Sequence, residues 1–186
     1  CQLGMFYMNG MGLEQNTEKA LHWLEKSAHQ DDVCALSFLG NIYSGLHHLG
    51  PKNHKTAFKY WLRAAELGHM TSQAVVSLEY ELGTVVPKDY EKAAYWCRKS
   101  AEQGWGPAQR SLVSMYAEGR GVQQSNISAY MWYMVIKDLQ SEEVYAAMLE
   151  EQMKTVSEKM SPEEIQEAKQ QADTWVDNFR KQFSYQ

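Results

Sequence analysis

The chain of 186 residues has 44% hydrophobic and 22% charged side chains and a formal net charge of -5. This composition suits one compact domain or one extended array and argues against disorder. Every apolar run is shorter than the roughly 20 residues that a membrane-spanning helix needs, and no basic stripe of the kind that binds nucleic acid is present. The acidity belongs to the C-terminal part, since residues 1–140 carry 13 acidic and 13 basic side chains and residues 141–186 carry 10 and 5.

One pattern of residues returns about every 36 positions, and a tyrosine marks each copy: Tyr7, Tyr43, Tyr80 and Tyr116. Four positions before each tyrosine stands an aliphatic residue: Leu3, Leu39, Val76 and Leu112. Thirteen or fourteen positions after it stands an alanine: Ala20, Ala57, Ala93 and Ala129. Three positions after the alanine stands an aromatic residue, which we expect in the core: Trp23, Tyr60, Trp96 and Trp132. These intervals fall on one face of a helix, so each copy is predicted to form two amphipathic helices, A and then B.

The expected helix ends carry capping residues. Four positions before each helix-B alanine is a side chain that can accept a hydrogen bond from a free backbone N–H: Asn16, Asn53, Asp89 and Ser125. Gly68 and Gly104 stand where helix B should end, because glycine readily adopts the left-handed conformation. Small residues directly after the helix-A aliphatic residue let two helices approach closely: Gly4, Gly40 and Ser77. The run Ser161-Pro162-Glu163-Glu164 predicts the start of a further helix.

These residues resemble the Sel-one-like repeat (SLR) family, which is related to the tetratricopeptide repeat. The family pattern is matched by Leu3-Gly4-x-x-Tyr7-x-x-Gly10 with Ala20-x-x-Trp23, and in the third copy by Tyr80-x-x-Gly83 with Ala93-x-x-Trp96. The second copy departs from it with Gly45 one place early, and the fourth has Val113 at the close-contact position. The resemblance covers about residues 1–140 and implies an all-α fold, a right-handed α/α superhelix (solenoid) of paired antiparallel helices.

Four repeats are expected at about 1–33, 34–70, 71–106 and 107–140, with a C-terminal helical cap at 141–186 that closes the last apolar face. Cys1 lies six residues before Tyr7, whereas the other A helices begin nine or ten residues before their tyrosine. We therefore expect either a longer full-length protein or disordered residues upstream.

Cys1, Cys34 and Cys97 have unrelated spacings, from which we expect no disulfide framework and no Cys-x-x-Cys site. The sequence does not decide the cellular compartment, and export to a bacterial periplasm is one alternative.

His47, His48 and His54 cluster in the second linker, but no thiolate or carboxylate stands at ligand spacing. Solvated histidines are therefore a better interpretation than a metal site. The sequence predicts no metal and no cofactor.

No phosphate-binding glycine loop or nucleophile elbow is present in the sequence. Some family members whose repeats carry paired cysteines are linked with hydrolysis of β-lactams, and this chain lacks those pairs. We therefore expect no enzymatic activity and no small-molecule substrate.

A possible binding stripe runs along helix A, six and two positions before each tyrosine and one after it. Its residues are Met5 and Met8; Ser37, Asn41 and Ser44; Ala74, Leu78 and Glu81; and Arg110, Ser114 and Ala117. Simple solvation would explain these positions equally well one by one, but Met5, Met8 and Leu78 are apolar groups that the repeat itself should bury poorly. Trp105, in the turn between the third and fourth copies, is either an exposed anchor or a plug in the seam.

Two functions remain open from the sequence. The favoured one is a scaffold or adaptor that binds a protein or peptide on the concave face of the repeat array. The resemblance implies roles in protein complexes, in signalling or, in bacteria, in contacts with host or envelope components. The alternative is a hydrolase of cell-wall or β-lactam-like substrates, for which the sequence offers no catalytic set.

Overall fold

The computed structural model describes residues 1–46, 52–139 and 143–183, which contain ten α-helices and no strand. The helices are α1 (Gln2–Asn9), α2 (Thr17–Ala28), α3 (Val33–Ser44), α4 (His54–Glu66), α5 (Met70–Leu82), α6 (Tyr90–Glu102), α7 (Gly106–Glu118), α8 (Asn126–Leu139), α9 (Glu143–Ser157) and α10 (Pro162–Phe183). None of the helices in the described ranges is both long and apolar enough to cross a membrane.

The chain divides into two compact units, Cys1–Lys88 and Asp89–Gln186. In the first unit each helix from α1 to α4 packs on the next one in the chain. In the second unit α6 packs on α7 and α7 on α8, and α8 contacts both α9 and α10. The predicted all-α fold of tandem helix pairs is confirmed, with α1, α3, α5 and α7 as the A helices and α2, α4, α6 and α8 as the B helices.

The predicted N-caps of the B helices are confirmed. The side chains of Asn16, Asn53 and Asp89 accept the backbone N–H three residues on, at 2.9, 3.1 and 3.0 Å. Ser125 Oγ accepts the N–H of Ser128 at 3.1 Å. These bonds satisfy backbone donors that have no partner within the helix, so each linker ends at a fixed residue.

The other helix-end signals also hold. Gly68 and Gly104 follow the B helices with φ of +92° and +89°. At the start of α10, Ser161 Oγ accepts the N–H of Glu164 at 3.2 Å, and the Glu164 carboxylate accepts the N–H of Ser161 at 2.8 Å. This reciprocal pair is a capping box, and it fixes where the last helix begins.

Helices A and B approach closely at the predicted small residues. A Cβ on Gly4 would lie 2.6 Å from Leu24 Cγ, and one on Gly40 would collide with the indole ring of Trp61. The helix-A aliphatic residues Leu39, Val76 and Leu112 are fully buried. Among the repeat aromatics only Trp132 is buried, whereas Trp23, Tyr60 and Trp96 are half-buried, so their expected core position is wrong in part. A large ring extends from the buried face of helix B to the edge of that face, where polar side chains begin. At Trp23, Lys26 Nζ lies 5.2 Å from the ring centre.

A buried polar contact repeats between helix B and the following helix A. Gln73 Nε2 donates to the carbonyl of Ala65 at 3.1 Å, and Gln109 Nε2 donates to the carbonyl of Ala101 at 3.3 Å. Both glutamines are buried. Because a buried amide is costly without a hydrogen-bond partner, these bonds help to fix the position of each helix A against the preceding helix B.

Cys1 and Cys34 form a disulfide, with their Cα atoms 6.2 Å apart. The expectation that the cysteines form no bridge is therefore wrong for this pair. Cys1 lies at the start of α1 and Cys34 at the start of α3, so the bridge links the same end of two successive A helices. Cys97 lies outside this bridge and is buried, and its thiol donates to the carbonyl of Ala108 at 3.2 Å.

The C-terminal helix packs on α8 through aromatic side chains. Trp132 meets Trp175 edge to face at 5.2 Å, and Trp175 stacks on Phe179 at 5.0 Å between ring centroids. Arg180 adds an ion pair to Asp138 at 2.8 Å. The expected polar helix thus packs two half-buried aromatic side chains against the buried Trp132 of α8.

Candidate partner-binding face

The stripe predicted on helix A is only partly accessible in the first unit. Met5, Asn41, Ser44, Ala74 and Glu81 are half-buried, and Leu78 is 51% exposed.

Met8 and Ser37 differ from what the stripe predicts. Met8 is only 3% exposed, so the expectation that it presents an open apolar surface is wrong. It belongs to the core cluster that contains Leu24 and Leu39. A methionine side chain has enough rotatable bonds to fold back into such a gap. Ser37 is also buried, and its hydroxyl donates to the carbonyl of Cys34 at 2.9 Å.

Asn41 is held in one orientation by the neighbouring B helix. The indole N–H of Trp61 on α4 donates to Asn41 Oδ1 on α3 at 3.1 Å. Because Oδ1 accepts this bond, Nδ2 remains to donate elsewhere, and within the described ranges no residue accepts its hydrogens. Asn41 therefore presents two fixed hydrogen-bond donors at a half-buried position.

Along α5 an apolar line remains accessible. Leu78 is 51% exposed, Leu82 is 54% exposed, and Ala74, four residues before Leu78, is half-buried. Positions four apart lie above one another on a helix, so the three side chains form one strip. The predicted stripe omits Leu82, although its spacing of four from Leu78 is visible in the sequence. We call Asn41 together with Ala74, Leu78 and Leu82 the helix-A face.

In the second unit, the predicted residues Trp105, Arg110 and Ser114 are all half-buried. Trp105 is the N-cap residue of α7, and its carbonyl accepts the N–H of Gln109 at 3.0 Å. Arg110 and Ser114 lie four residues apart on α7 and so share a side of that helix. Whether these three residues bind a partner stays a prediction.

The repeat tyrosines join helix A to the preceding helix B. Tyr43 donates its phenolic hydrogen to Glu25 Oε1 at 3.2 Å and stacks on Tyr60 with 5.7 Å between ring centroids. Burial raises the pKa of both phenols, and the nearby Glu25 carboxylate adds to this effect. Both tyrosines are therefore neutral at physiological pH and serve as packing groups.

His69 and Ser72 form the contact that most resembles a base and a nucleophile, with Nδ1 and Oγ 2.8 Å apart. Ser72 is only 2% exposed, so its hydroxyl has no access to a substrate. His69 is the N-cap residue of α5 and its ring also lies 3.4 Å from the Thr71 hydroxyl. The contact between His69 and Ser72 is therefore part of the local structure at the N-terminus of α5.

Burial lowers the pKa of His69 below its ordinary value of 6.5. Between the lowered folded pKa and the unfolded pKa, the unfolded state binds more protons, so this histidine's contribution to stability is lost as the pH falls through that range. We expect His69→Asn to reduce the change in unfolding free energy between about pH 7.5 and about pH 5. Urea denaturation at both pH values measures it. His22→Asn, at an exposed histidine on α2, is the control, and an equal effect from it would contradict the assignment.

The histidines considered as metal ligands do not form a described cluster. His47 and His48 lie outside the described residues, and His54 is the first residue of α4. One trio of metal-type donors is present in the described ranges, Cys1, Asp32 and Cys34. Its two sulfurs are bonded to each other and are therefore not thiolate ligands.

The Sel1 repeat family model matches residues 1–32, 35–69, 72–105 and 107–133. The chain belongs to the Sel1 repeat family. Sel1 repeat proteins are generally scaffolds for protein interactions and are typically non-enzymatic.

Two solved structures share the fold. The protective antigen c5321 of uropathogenic Escherichia coli, which displays an SLR fold, is 29% identical, with a TM-score of 0.75 over 97% of this chain and 38% of that one. A Sel1 repeat protein from Oxalobacter formigenes is 30% identical, with a TM-score of 0.67 over 72% of this chain and 54% of that one.

Among curated relatives, the chitin synthase regulator SKT5 of Saccharomyces cerevisiae is 42% identical over 53 residues, which are 28% of this chain and 8% of the regulator. The chain spans less than two thirds of each of these three proteins.

Proposed function

We propose that this Sel1 repeat chain is an interaction scaffold whose helix-A face binds an extended segment of a protein partner. The observation that carries the proposal is the apolar line of Ala74, Leu78 and Leu82, which the repeat leaves accessible on α5. Two leucines that are each about half exposed on one strip are an anchor of the size that a partner side chain can cover.

Asn41 complements the apolar line with polar recognition. Its free amide hydrogens can donate to the backbone carbonyls of an extended peptide, which all sequences possess. Because Trp61 already fixes the side chain, little rotamer freedom is lost when the partner binds. Helix α4 packs on both α3 and α5, so the polar and the apolar contacts flank the same B helix.

Affinity capture with the immobilised chain tests the apolar contact. Leu78→Lys should weaken binding of a captured partner at least about tenfold, because a buried ammonium replaces an apolar contact. Leu67→Lys is the matched control, since Leu67 is 39% exposed at the end of α4 and outside the helix-A face. A partner that binds both variants as well as it binds the original chain would remove the proposal.

The amide contact has its own test. Asn41→Asp keeps an oxygen to accept the Trp61 indole N–H but removes the two amide donors. We expect the variant to keep its urea midpoint and to bind the partner at least about fivefold more weakly in fluorescence polarisation. Unchanged affinity would show that Asn41 serves only to hold Trp61.

A further inference from the structure

A cavity of about 540 Å³ lies in the second unit, where α6, α7 and the start of α8 meet. Its polar lining residues are Arg98, Tyr116, Gln123, Gln124, Ser125 and Ser128. Glycine and valine complete the lining as far as the described residues form it, and this lining holds one basic side chain and no acidic one.

Arg98 has no carboxylate partner in the described part of the chain. Its Nη2 donates to the Tyr116 hydroxyl at 2.7 Å, and its guanidinium lies 5.8 Å from the centre of the Tyr116 ring. The partner is a hydroxyl and not a carboxylate, so these contacts orient the guanidinium without pairing it with an acidic side chain. Arginine donates five hydrogen bonds in a planar fork, of which the phenol takes one.

Further hydrogen-bond donors line the same cavity. The Ser128 hydroxyl accepts from Ser125 Oγ at 2.9 Å, which leaves its own hydrogen to donate. Gln124 Nε2 is committed to the carbonyl of Ala117 at 2.9 Å, whereas the Gln123 amide makes no bond within the described ranges. A lining with one positive charge and several donors suits a singly charged anion.

An adjoining cavity of about 660 Å³ has the opposite charge. It shares Gly121, Val122 and Gln123 with the first cavity, and its charged lining residues are Asp89 and Glu91. Asp89 is paired with Lys92 at 2.9 Å, whereas the exposed Glu91 has no partner among the described residues. A ligand that spans both cavities therefore carries an anion at one end and a cation at the other.

We propose that these cavities bind the carboxyl terminus of a peptide that ends in lysine or arginine, with the α-carboxylate at Arg98 and the basic side chain at Glu91. A carboxylate matches the single guanidinium in charge and can accept from it in a bidentate manner. A phosphate carries about -1.5 to -2 charges and would stay partly uncompensated beside Glu91. This site is separate from the helix-A face, so either can fail without the other.

A titration of the 15N-labelled chain followed by NMR tests the assignment. The probes are Nα-acetyl-lysine with a free carboxylate, its C-terminal amide, Nα-acetyl-glycine and inorganic phosphate, at matched ionic strength. We expect Nα-acetyl-lysine to bind in the millimolar range, as suits so small a ligand, and to shift the amide signals of residues 121–128. Nα-acetyl-glycine should bind more weakly, and the amide and phosphate more weakly still.

Variants separate the two ends of the ligand. Arg98→Gln should weaken Nα-acetyl-lysine about tenfold or more, whereas Lys99→Gln removes the same charge from the next exposed residue and should leave it unchanged. Glu91→Gln should abolish the preference for lysine over glycine and keep the carboxylate contact. Equal binding of the lysine amide, tighter binding of phosphate, or no effect of Arg98→Gln would overturn the proposal. These outcomes do not depend on Leu78 or Asn41.

Discussion

Replacing Gly121 by alanine should lower the unfolding free energy of the second unit by roughly 2–5 kcal/mol. Gly121 has φ of +69°, in the left-handed region that side chains disfavour. A Cβ at this position would also collide with the backbone carbonyl of Tyr90, at the start of α6. Because the clash is with backbone, no rotamer change can relieve it, and the linker before α8 must move away from α6. Urea denaturation followed by circular dichroism measures the loss.

Gly12→Ala separates the conformational cost from the clash. Gly12 has nearly the same φ, +71°, but a Cβ there would meet no atom within 4 Å. We expect this control to cost only about 1–2 kcal/mol, the price of the left-handed conformation alone. Equal losses for the two variants would contradict the close packing of the α7–α8 linker on Tyr90.

Replacing Trp61 by alanine should destabilise the first unit by about 3–5 kcal/mol. The ring is buried between α4 and α3, lies against Gly40, and donates to Asn41 Oδ1 at 3.1 Å. Its removal leaves a cavity at the closest approach of the two helices and an unpaired acceptor on α3. Urea denaturation and amide hydrogen exchange of α3 measure the effect.

Trp61→Phe is a milder substitution at the same position. Phenylalanine keeps most of the ring volume and loses the indole N–H, so we expect a smaller cost of about 1 kcal/mol. The same variant should also weaken partner binding, because Asn41 is no longer held in one orientation. If both variants cost the same, the ring would contribute its hydrogen bond and little packing.

The repeat and its helix ends could be predicted from sequence because their causes are local. Asn16, Asn53, Asp89 and Ser125 cap helices within three residues of themselves, and the spacing of aliphatic, alanine and aromatic positions reports one helical period. The same holds for the capping box of α10. Such signals depend only on residues that are close in the sequence, and each copy of the repeat contains them.

What the sequence did not reveal depends on contacts between helices. The disulfide joins residues 33 positions apart, and its spacing matches no disulfide motif. Met8 occupies a position that is half-buried in the other three copies, as Ser44, Glu81 and Ala117, but its long apolar side chain reaches the core. Gln73 and Gln109 bond to a carbonyl of the preceding helix, a partner that the residue type alone does not indicate.

The helix-A face was predicted in part for the same reason. Leu78 was singled out correctly as exposed, whereas Leu82 lay outside the stripe because the stripe was placed by its distance from the tyrosine. The orientation of Asn41 is fixed by Trp61 on another helix. The other copies of the repeat have no tryptophan at the position of Trp61. Side-chain identity therefore indicated an exposed apolar residue, and packing decided which members of the stripe are accessible.

Hydrogen–deuterium exchange of the chain with and without its captured partner tests whether the helix-A face binds the partner. We expect the partner to slow exchange in segments 41–44 of α3 and 74–82 of α5 and to leave the exposed side of α2 unchanged. Protection confined to the B helices, with no change in α3 and α5, would contradict the assignment of the helix-A face as the partner-binding surface.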